Sequence, residues 1–249
     1  MAHRSDIDMY LSAVMQATTF KDYGPNGLQI EGRAAVGRLV SGVTASLALI
    51  EAAIAAQADA LLVHHGLFWR GQDGRLTGWL KQRVQRLMAH DISLFAYHLP
   101  LDAHAEFGNN AQFGKRIGVN AEARFGEQSL GFVGSIEQPM TTPDLLGRLR
   151  QISSRTPAHV EGDGRALRRV AWCTGAAQSY FEDAIAAGAD VFITGEMSEP
   201  QVHLARETGV AFIACGHHAS ERYGVQALGS HIAEHFGIEH QYIEIDSPA

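Results

Sequence analysis

The chain has no long hydrophobic run. None of its apolar stretches approaches the ~18 residues a membrane-spanning helix needs, so no span is predicted. Its first residues, Met-Ala-His-Arg-Ser-Asp, lead into an acidic segment and lack the apolar core of a signal peptide. Cysteine is nearly absent: only Cys173 and Cys215 occur, each inside an apolar strand-like segment. That predicts buried reduced thiols rather than a disulfide framework, and the cytoplasm as the expected compartment. Positive charge is scarce as well. Lys and Arg total 20 against 27 Asp and Glu, a net charge of −7, which argues against a general nucleic-acid surface. The local basic clusters Lys81–Arg86 and Arg165–Arg169 read as an exposed helix face and a charged loop before a strand. The chain carries no Gly-x-x-x-x-Gly-Lys-Ser/Thr phosphate loop, no Gly-x-Gly-x-x-Gly after the first strand and no Gly-x-Ser-x-Gly elbow. Phosphate-loop, dinucleotide and serine-triad chemistries lose their usual signals.

What remains is an ordinary globular composition, 46% apolar and 19% charged over 249 residues. That is enough for one large α/β domain or two lobes. Apolar spacing at Ile7, Tyr10, Leu11, Val14 and Met15 predicts a helix over Arg4–Thr18, capped by Ser5 or Asp6. A turn-rich loop, Asp22-Tyr-Gly-Pro-Asn-Gly-Leu-Gln-Ile-Glu31, runs into a strand. The β-branched run Val36–Val43, helix Ser46–Gln57, strand Ala60–Val63, helix Leu80–Ala89 and strand Ile92–Tyr97 follow in turn. Strands alternating with helices imply βαβ units and a mostly parallel sheet. Asn120–Arg168 is the least patterned stretch, with one clear helix, Asp144–Ile152, behind the capping signal Thr141-Thr-Pro-Asp.

The second half echoes the first. Ala53-Ile-Ala-Ala-Gln-Ala-Asp-Ala60 is matched by Ala184-Ile-Ala-Ala-Gly-Ala-Asp-Val191 at an offset of 131, which sets Glu196 opposite His65. Later the offset is 119, setting His98 opposite His217 and Asp102 opposite Glu221. Helix, strand and His-x-x-x-carboxylate word recur in the same order. We therefore expect two related α/β lobes from an internal duplication, residues 1–126 and 127–249.

Three words carry chemistry: Leu61-Leu-Val-His-His-Gly66, His98-Leu-Pro-Leu-Asp102 and His217-His-Ala-Ser-Glu221. Each follows an apolar run, and parallel α/β sheets hold their ligands at the carboxyl ends of strands. Imidazole nitrogen with carboxylate oxygen suits catalytic divalent metals. Three such clusters exceed what one ion needs, so a two-metal site is expected. Adjacent His64 and His65 would face opposite sides of a continuing strand, so a turn at Gly66 is expected to bring both to the site. Pro100 argues against a regular helix through His98–Asp102, whereas His217–Glu221 suits a helix start. No one of these words suffices alone. Glu199 and His203 make the same spacing on an ordinary amphipathic helix, and His3, His90, His104, His159, His231, His235 and His240 read as exposed or capping. The apolar flanks of Cys215 favour an inert thiol over a ligand or nucleophile.

With these residues in place the chain resembles, nearly end to end, the Nif-three-like family, also called the YbgI-type dinuclear metal-centre or GTP cyclohydrolase I type 2 homologue family. The resemblance rests on Asp22–Gly32, Gly42-Val-Thr-Ala-Ser46, Val63-His-His-Gly66, His98-Leu-Pro-Leu-Asp102, Gly108-Asn-Asn110, Ala171-Trp-Cys-Thr-Gly175, Phe192-Ile-Thr-Gly-Glu196 and Gly216-His-His-Ala-Ser-Glu221. It implies two α/β lobes facing each other with a metal pair in the cleft, and a hexamer built as a trimer of dimers. It implies His64, His65, Asp102, His217 and Glu221 as metal ligands, with Glu221 as the bridging carboxylate. His98, Glu196 and His218 are then expected close by, orienting the ligands or facing substrate. The ferredoxin-like insert of some relatives does not fit in a chain of this length.

Five protein ligands over two divalent metals (Fe, Zn, Mn, Co or Ni) would leave coordination positions for water and substrate. A water held between two cations has its pKa lowered toward neutral. The expected function is a metal-dependent hydrolase of a small polar or nucleotide-like substrate. The family label suggests GTP ring opening, but nothing in these residues reads guanine or triphosphate. The alternative is a non-enzymatic metal-binding protein or ring-shaped scaffold. Nucleic acid and membrane are not expected partners.

Overall fold

A computed structural model describes residues Met1–Ala249. Its chain is mixed α/β and gathers into two compact units that are not consecutive in sequence. The first is Met1–Gly108 with Gly224–Asp246, the second Asn109–Tyr223 with Ser247–Ala249.

The first unit holds a five-stranded sheet in the order Glu239–Tyr242, Arg38–Thr44, Ala60–His65, Ser93–Ala96, Gly27–Ile30. The first three pairings are parallel and only the last is antiparallel. Its inner strands are mostly apolar because both faces are covered. Val40, Leu61, Val63 and Leu94 pack under helices Leu47–Ala55 and Gly78–Ala89 through Leu49, Ile50, Leu80 and Leu87. Their neighbours Leu39, Leu62 and Phe95 face the other way, onto Ile7 and Leu11 of helix Arg4–Met15 and onto Val225, Leu228 and Ile232. This is the period-two alternation of a strand. Burying each such side chain contributes about 2 kcal/mol.

The second unit has six strands in the order Ala123–Phe125, Gly131–Met140, Leu167–Trp172, Val191–Thr194, Ala211–Ala214, Ala158–Val160. Only the two pairings among Leu167–Trp172, Val191–Thr194 and Ala211–Ala214 are parallel. The expected mostly parallel sheet thus describes the first unit, while the second is mixed. Helices Asn109–Ile117 and Thr142–Ser153 cover one face, packing Phe113, Leu145 and Leu149 on Trp172, Val191 and Ile213. The opposite face carries Phe181, Phe192 and Phe212, with Phe181 edge-on to Phe212 at 4.9 Å.

Local expectations are corrected at several points. The first helix ends at Met15 and is capped by His3, which accepts the Ser5 N–H, rather than by Ser5 or Asp6. Thr141 does cap its helix, in a reciprocal box with Asp144. The stretch without pattern contains a ten-residue strand, Gly131–Met140. His104 caps the N–H groups of Glu106 and Phe107. His231 and His240 instead pack half-buried, bonded to Tyr10 and Ser41. Both cysteines are buried free thiols, and burial pushes Cys215 up to about 12. No helix is long and apolar enough to cross a membrane.

Candidate metal centre

In the first unit, strand Ala60–His65 runs through both histidines, so no turn at Gly66 is needed. The rings of His64 and His65 nevertheless approach to 4.6 Å between centroids at a tilt of 46°. Gly66 instead makes room, since a Cβ there would overlap the Gln29 side-chain amide. His98 follows the next strand, and its ring lies 5.0 Å from His64 and 5.7 Å from His65. One nitrogen from each of His64, His65 and His98 lies within 4.8 Å of the others, a group that could hold a metal ion.

The outward nitrogens fix these rings. The Nδ1–H of His64 donates to the Tyr97 carbonyl at 2.9 Å, leaving Nε2 toward Asp102 Oδ1 at 3.5 Å. His65 Nδ1 shares a hydrogen bond of 2.9 Å with Thr44 Oγ1. His98 Nδ1 meets Asp22 Oδ1 at 2.7 Å, and the His98 N–H donates to Asn26 Oδ1 at 2.7 Å. The other Asp22 oxygen accepts from Asn26 Nδ2 and from the Leu99 N–H. Burial works to raise the Asp22 pKa, but His98, Asn26 and the Tyr23 N–H outweigh it and hold the carboxyl at about 2. Backing an imidazole with a carboxylate or carbonyl sets its tautomer and aim.

Pro100 does not prevent a helix. It sits in the first turn of Leu99–Ala103, where a missing N–H costs nothing, and the Asp102 N–H donates to the His98 carbonyl. The His98–Asp102 spacing is therefore one helical turn, contrary to the loop expected. Asp102 is 6% exposed and His64 fully buried.

In the second unit, His217 opens helix His217–Phe236 and Glu221 lies one turn on, with Nε2 and Oε2 3.0 Å apart. Glu196, just beyond strand Val191–Thr194, reaches His217 Nδ1 at 2.7 Å. His218, next on the helix, is half-buried. Glu221 is buried, 3% exposed, beside a cradle that glycine makes possible. Gly175 has φ +74°, and a Cβ there would overlap Glu221 Oε1. The Gly175 N–H donates to Ser220 Oγ, which donates in turn to the His217 carbonyl. Burial depresses the His217 pKa, but the hydrogen bonds and charges of Glu221 and Glu196 prevail and raise it to about 9. Glu199 and His203 are an exposed pair on their helix, 3.5 Å apart.

Known proteins resemble this chain in both sequence and fold. The family model described as Duf34/NIF3 (NGG1p interacting factor 3) matches residues 2–248. The chain belongs to the NIF3 family. It is 49% identical over 249 residues to a Neisseria meningitidis serogroup A protein named GTP cyclohydrolase 1 type 2 homolog, covering 100% of both chains. Among solved structures, the protein ybgI matches with TM-score 0.95 and 39% identity, covering 99% of this chain and all of that one. A Thermus thermophilus protein matches with TM-score 0.92 and 29% identity over the same shares. The fold is thus that of its NIF3 neighbours.

The individual roles of Asp22, Asn26, Thr44 and Gly175 in this NIF3-family chain carry no local signal in the sequence. All four lie inside the words that carry the resemblance, but their own spacing shows no partner for them.

Proposed function

We propose that the chain is a dinuclear divalent-metal protein and a metal-dependent hydrolase of a small polar or nucleotide-like substrate. In this reading His64, His65, Asp102, His217 and Glu221 would supply the ligands of two divalent ions. His98, Glu196 and His218 stand behind or beside them. The observation that carries it is that one nitrogen each of His64 and His65 lies within 4.8 Å of the other and of a nitrogen of His98, with each ring braced from behind. The donor set fits: neutral nitrogens and anionic oxygens suit Fe, Zn, Mn, Co or Ni. Bound divalent ions would supply Lewis acidity and make a water acidic enough to attack near neutral pH. The chain's own part is to aim its donors. Tyr97, Thr44, Asp22 and Glu196 each fix one histidine, and the Gly175 cradle seats Glu221.

Matching hydrogen bonds support the duplication. Asp59 Oδ2 accepts the N–H groups of Gly37 and Arg38, and Asp190 Oδ2 those of Arg168 and Arg169, each partner displaced by 131 residues. The Tyr97 N–H donates to Val63 and the Cys215 N–H to Thr194, an offset of 118 at the later strand. Gly216 then accounts for the extra step to His217. The family resemblance supports a homohexamer, a trimer of dimers.

The test is element analysis of protein purified without added metal, then turnover against phosphate, ester and cyclic-amide substrates with Glu221→Ala alongside. About two ions per chain and Glu221-dependent turnover are expected. A metal-loaded chain with no Glu221-dependent activity on the panel would sink the hydrolase reading.

A further inference from the structure

Two loops of the first unit are stitched together beside the histidine group. The Arg70 N–H donates to the Tyr23 carbonyl at 2.6 Å, and Arg70 Nη2 donates to the Asp22 carbonyl at 2.7 Å. The Leu67 N–H donates to Gln29 Oε1 at 2.8 Å, and Gln29 Nε2 donates to the Pro25 carbonyl at 2.7 Å. Gly24 lies so close to the Phe68 carbonyl that a Cβ would overlap it. The seam is therefore rigid. It carries two aromatic rings that no core requires. Tyr23 is 59% exposed with its ring 6.1 Å from His98. Trp69 is partly exposed and stands perpendicular to His98 at 5.1 Å and 6.0 Å from His65. A crevice of only about 10 Å³, lined in part by Gly24, Asn26, His64, Trp69 and His98, lies beside it.

Holding large aromatic faces in water on a stiff backbone costs solvation, and it favours a flat partner, because little side-chain entropy remains to be lost on stacking. The crevice is too small for a ring, so the partner lies over the two aromatic faces, where the neighbouring imidazoles of His65 and His98 favour a ring whose edge carries nitrogen or oxygen. We propose that Tyr23 and Trp69 form a subsite that takes a flat heteroaromatic ring of the substrate by stacking, at the edge of the metal centre. This assignment rests on the metal-centre reading above and adds which part of the substrate is recognised and by what. Sugars and aliphatic acids lack the π face the subsite needs.

The test is calorimetric titration of the full-length chain, metal-free and zinc-loaded, with guanosine, uridine and nicotinate. Ribose and cyclohexanecarboxylate serve as non-aromatic counterparts. At least one heterocycle is expected to bind about tenfold tighter than its counterpart. Trp69→Leu and Tyr23→Leu should each weaken it by about fivefold or more, the lower range of base stacking on an aromatic side chain, while Trp69→Phe retains most of it. Zinc stoichiometry should be the same in all three variants. Equal binding of heterocycles and counterparts overturns the subsite, as does wild-type affinity in both leucine variants. Should Trp69→Leu fail to fold, Tyr23→Leu and Trp69→Phe decide. Zinc uptake without heterocycle preference refutes the subsite alone. Heterocycle preference lost in Trp69→Leu, in a chain that takes up no zinc, refutes the metal reading alone.

Discussion

Metal binding by this chain should release a proton from His217, and the amount follows from the geometry. Glu221 at 3.0 Å and Glu196 at 2.7 Å sit on the two ring nitrogens of His217. They raise the pKa from 6.5 to about 9 against the opposing effect of burial. That shift corresponds to about 3 kcal/mol of extra stability for the imidazolium. The sign is that of a raised pKa: the stabilisation is complete below 6.5 and is lost as pH rises through about 9. A metal ion needs the neutral ring, so at pH 7 it must first displace this proton. Apparent affinity should then climb about tenfold per pH unit from pH 7 to pH 9 and flatten above. Zinc titrations in buffers of different ionisation enthalpy count the protons, and about one per chain should come from His217 near pH 7.5. Glu196→Gln keeps the shape and removes one of the two charges, so the His217 share should fall while protons from other sources stay. An affinity that is flat between pH 7 and pH 9, or a proton count that Glu196→Gln leaves unchanged, would refute the reasoning.

Three further outcomes are expected. Asp22 is lowered from 3.8 to about 2, so its contribution of about 2 kcal/mol is present above 3.8 and lost as pH falls through 2. Asp22→Asn should lower urea stability by that amount at pH 7 and flatten its fall between pH 4 and pH 2. Gly175→Ala places a side chain at φ +74° against Glu221. It should cost about 1–3 kcal/mol in thermal unfolding and weaken zinc binding, and an unchanged melting temperature would count against the cradle. Asp59→Ala and Asp190→Ala each strip acceptors from two backbone N–H groups, and each should destabilise by about 1–3 kcal/mol in denaturant titration.

How much of this was legible in the sequence depends on how far each signal reaches along the chain. Helix Thr142–Ser153 was plain because its capping box spans Thr141 to Asp144. Strand Ala60–His65 was plain because burial on both faces leaves an unbroken apolar run over its first four residues. The strand Gly131–Met140 was missed because it is covered only in its first four residues and exposed along most of the rest, so it shows neither an apolar run nor clean alternation. The return of Glu239–Tyr242 beside Arg38–Thr44 was not legible either, since strand order is set by which faces remain to be covered, not by any local motif.

The same limit divides the candidate site. His64, His65, His98, Asp102, His217 and Glu221 could be nominated because strand ends and repeated spacing are local patterns. What aims them is not local. Asp22 grips His98 across 76 residues and Thr44 reaches His65 across 21, while Gly175 makes room for a carboxylate much later in the chain. Pro100 shows the opposite failure, a local rule applied too far. Proline excludes a helix interior but suits a first turn, and which of these applies depends on where the preceding strand stops. In this chain that strand ends at Ala96, so the turn can begin at Leu99 and carry Asp102 back toward His64. The candidate donors are therefore written in short words, and their geometry is written in the loops between them.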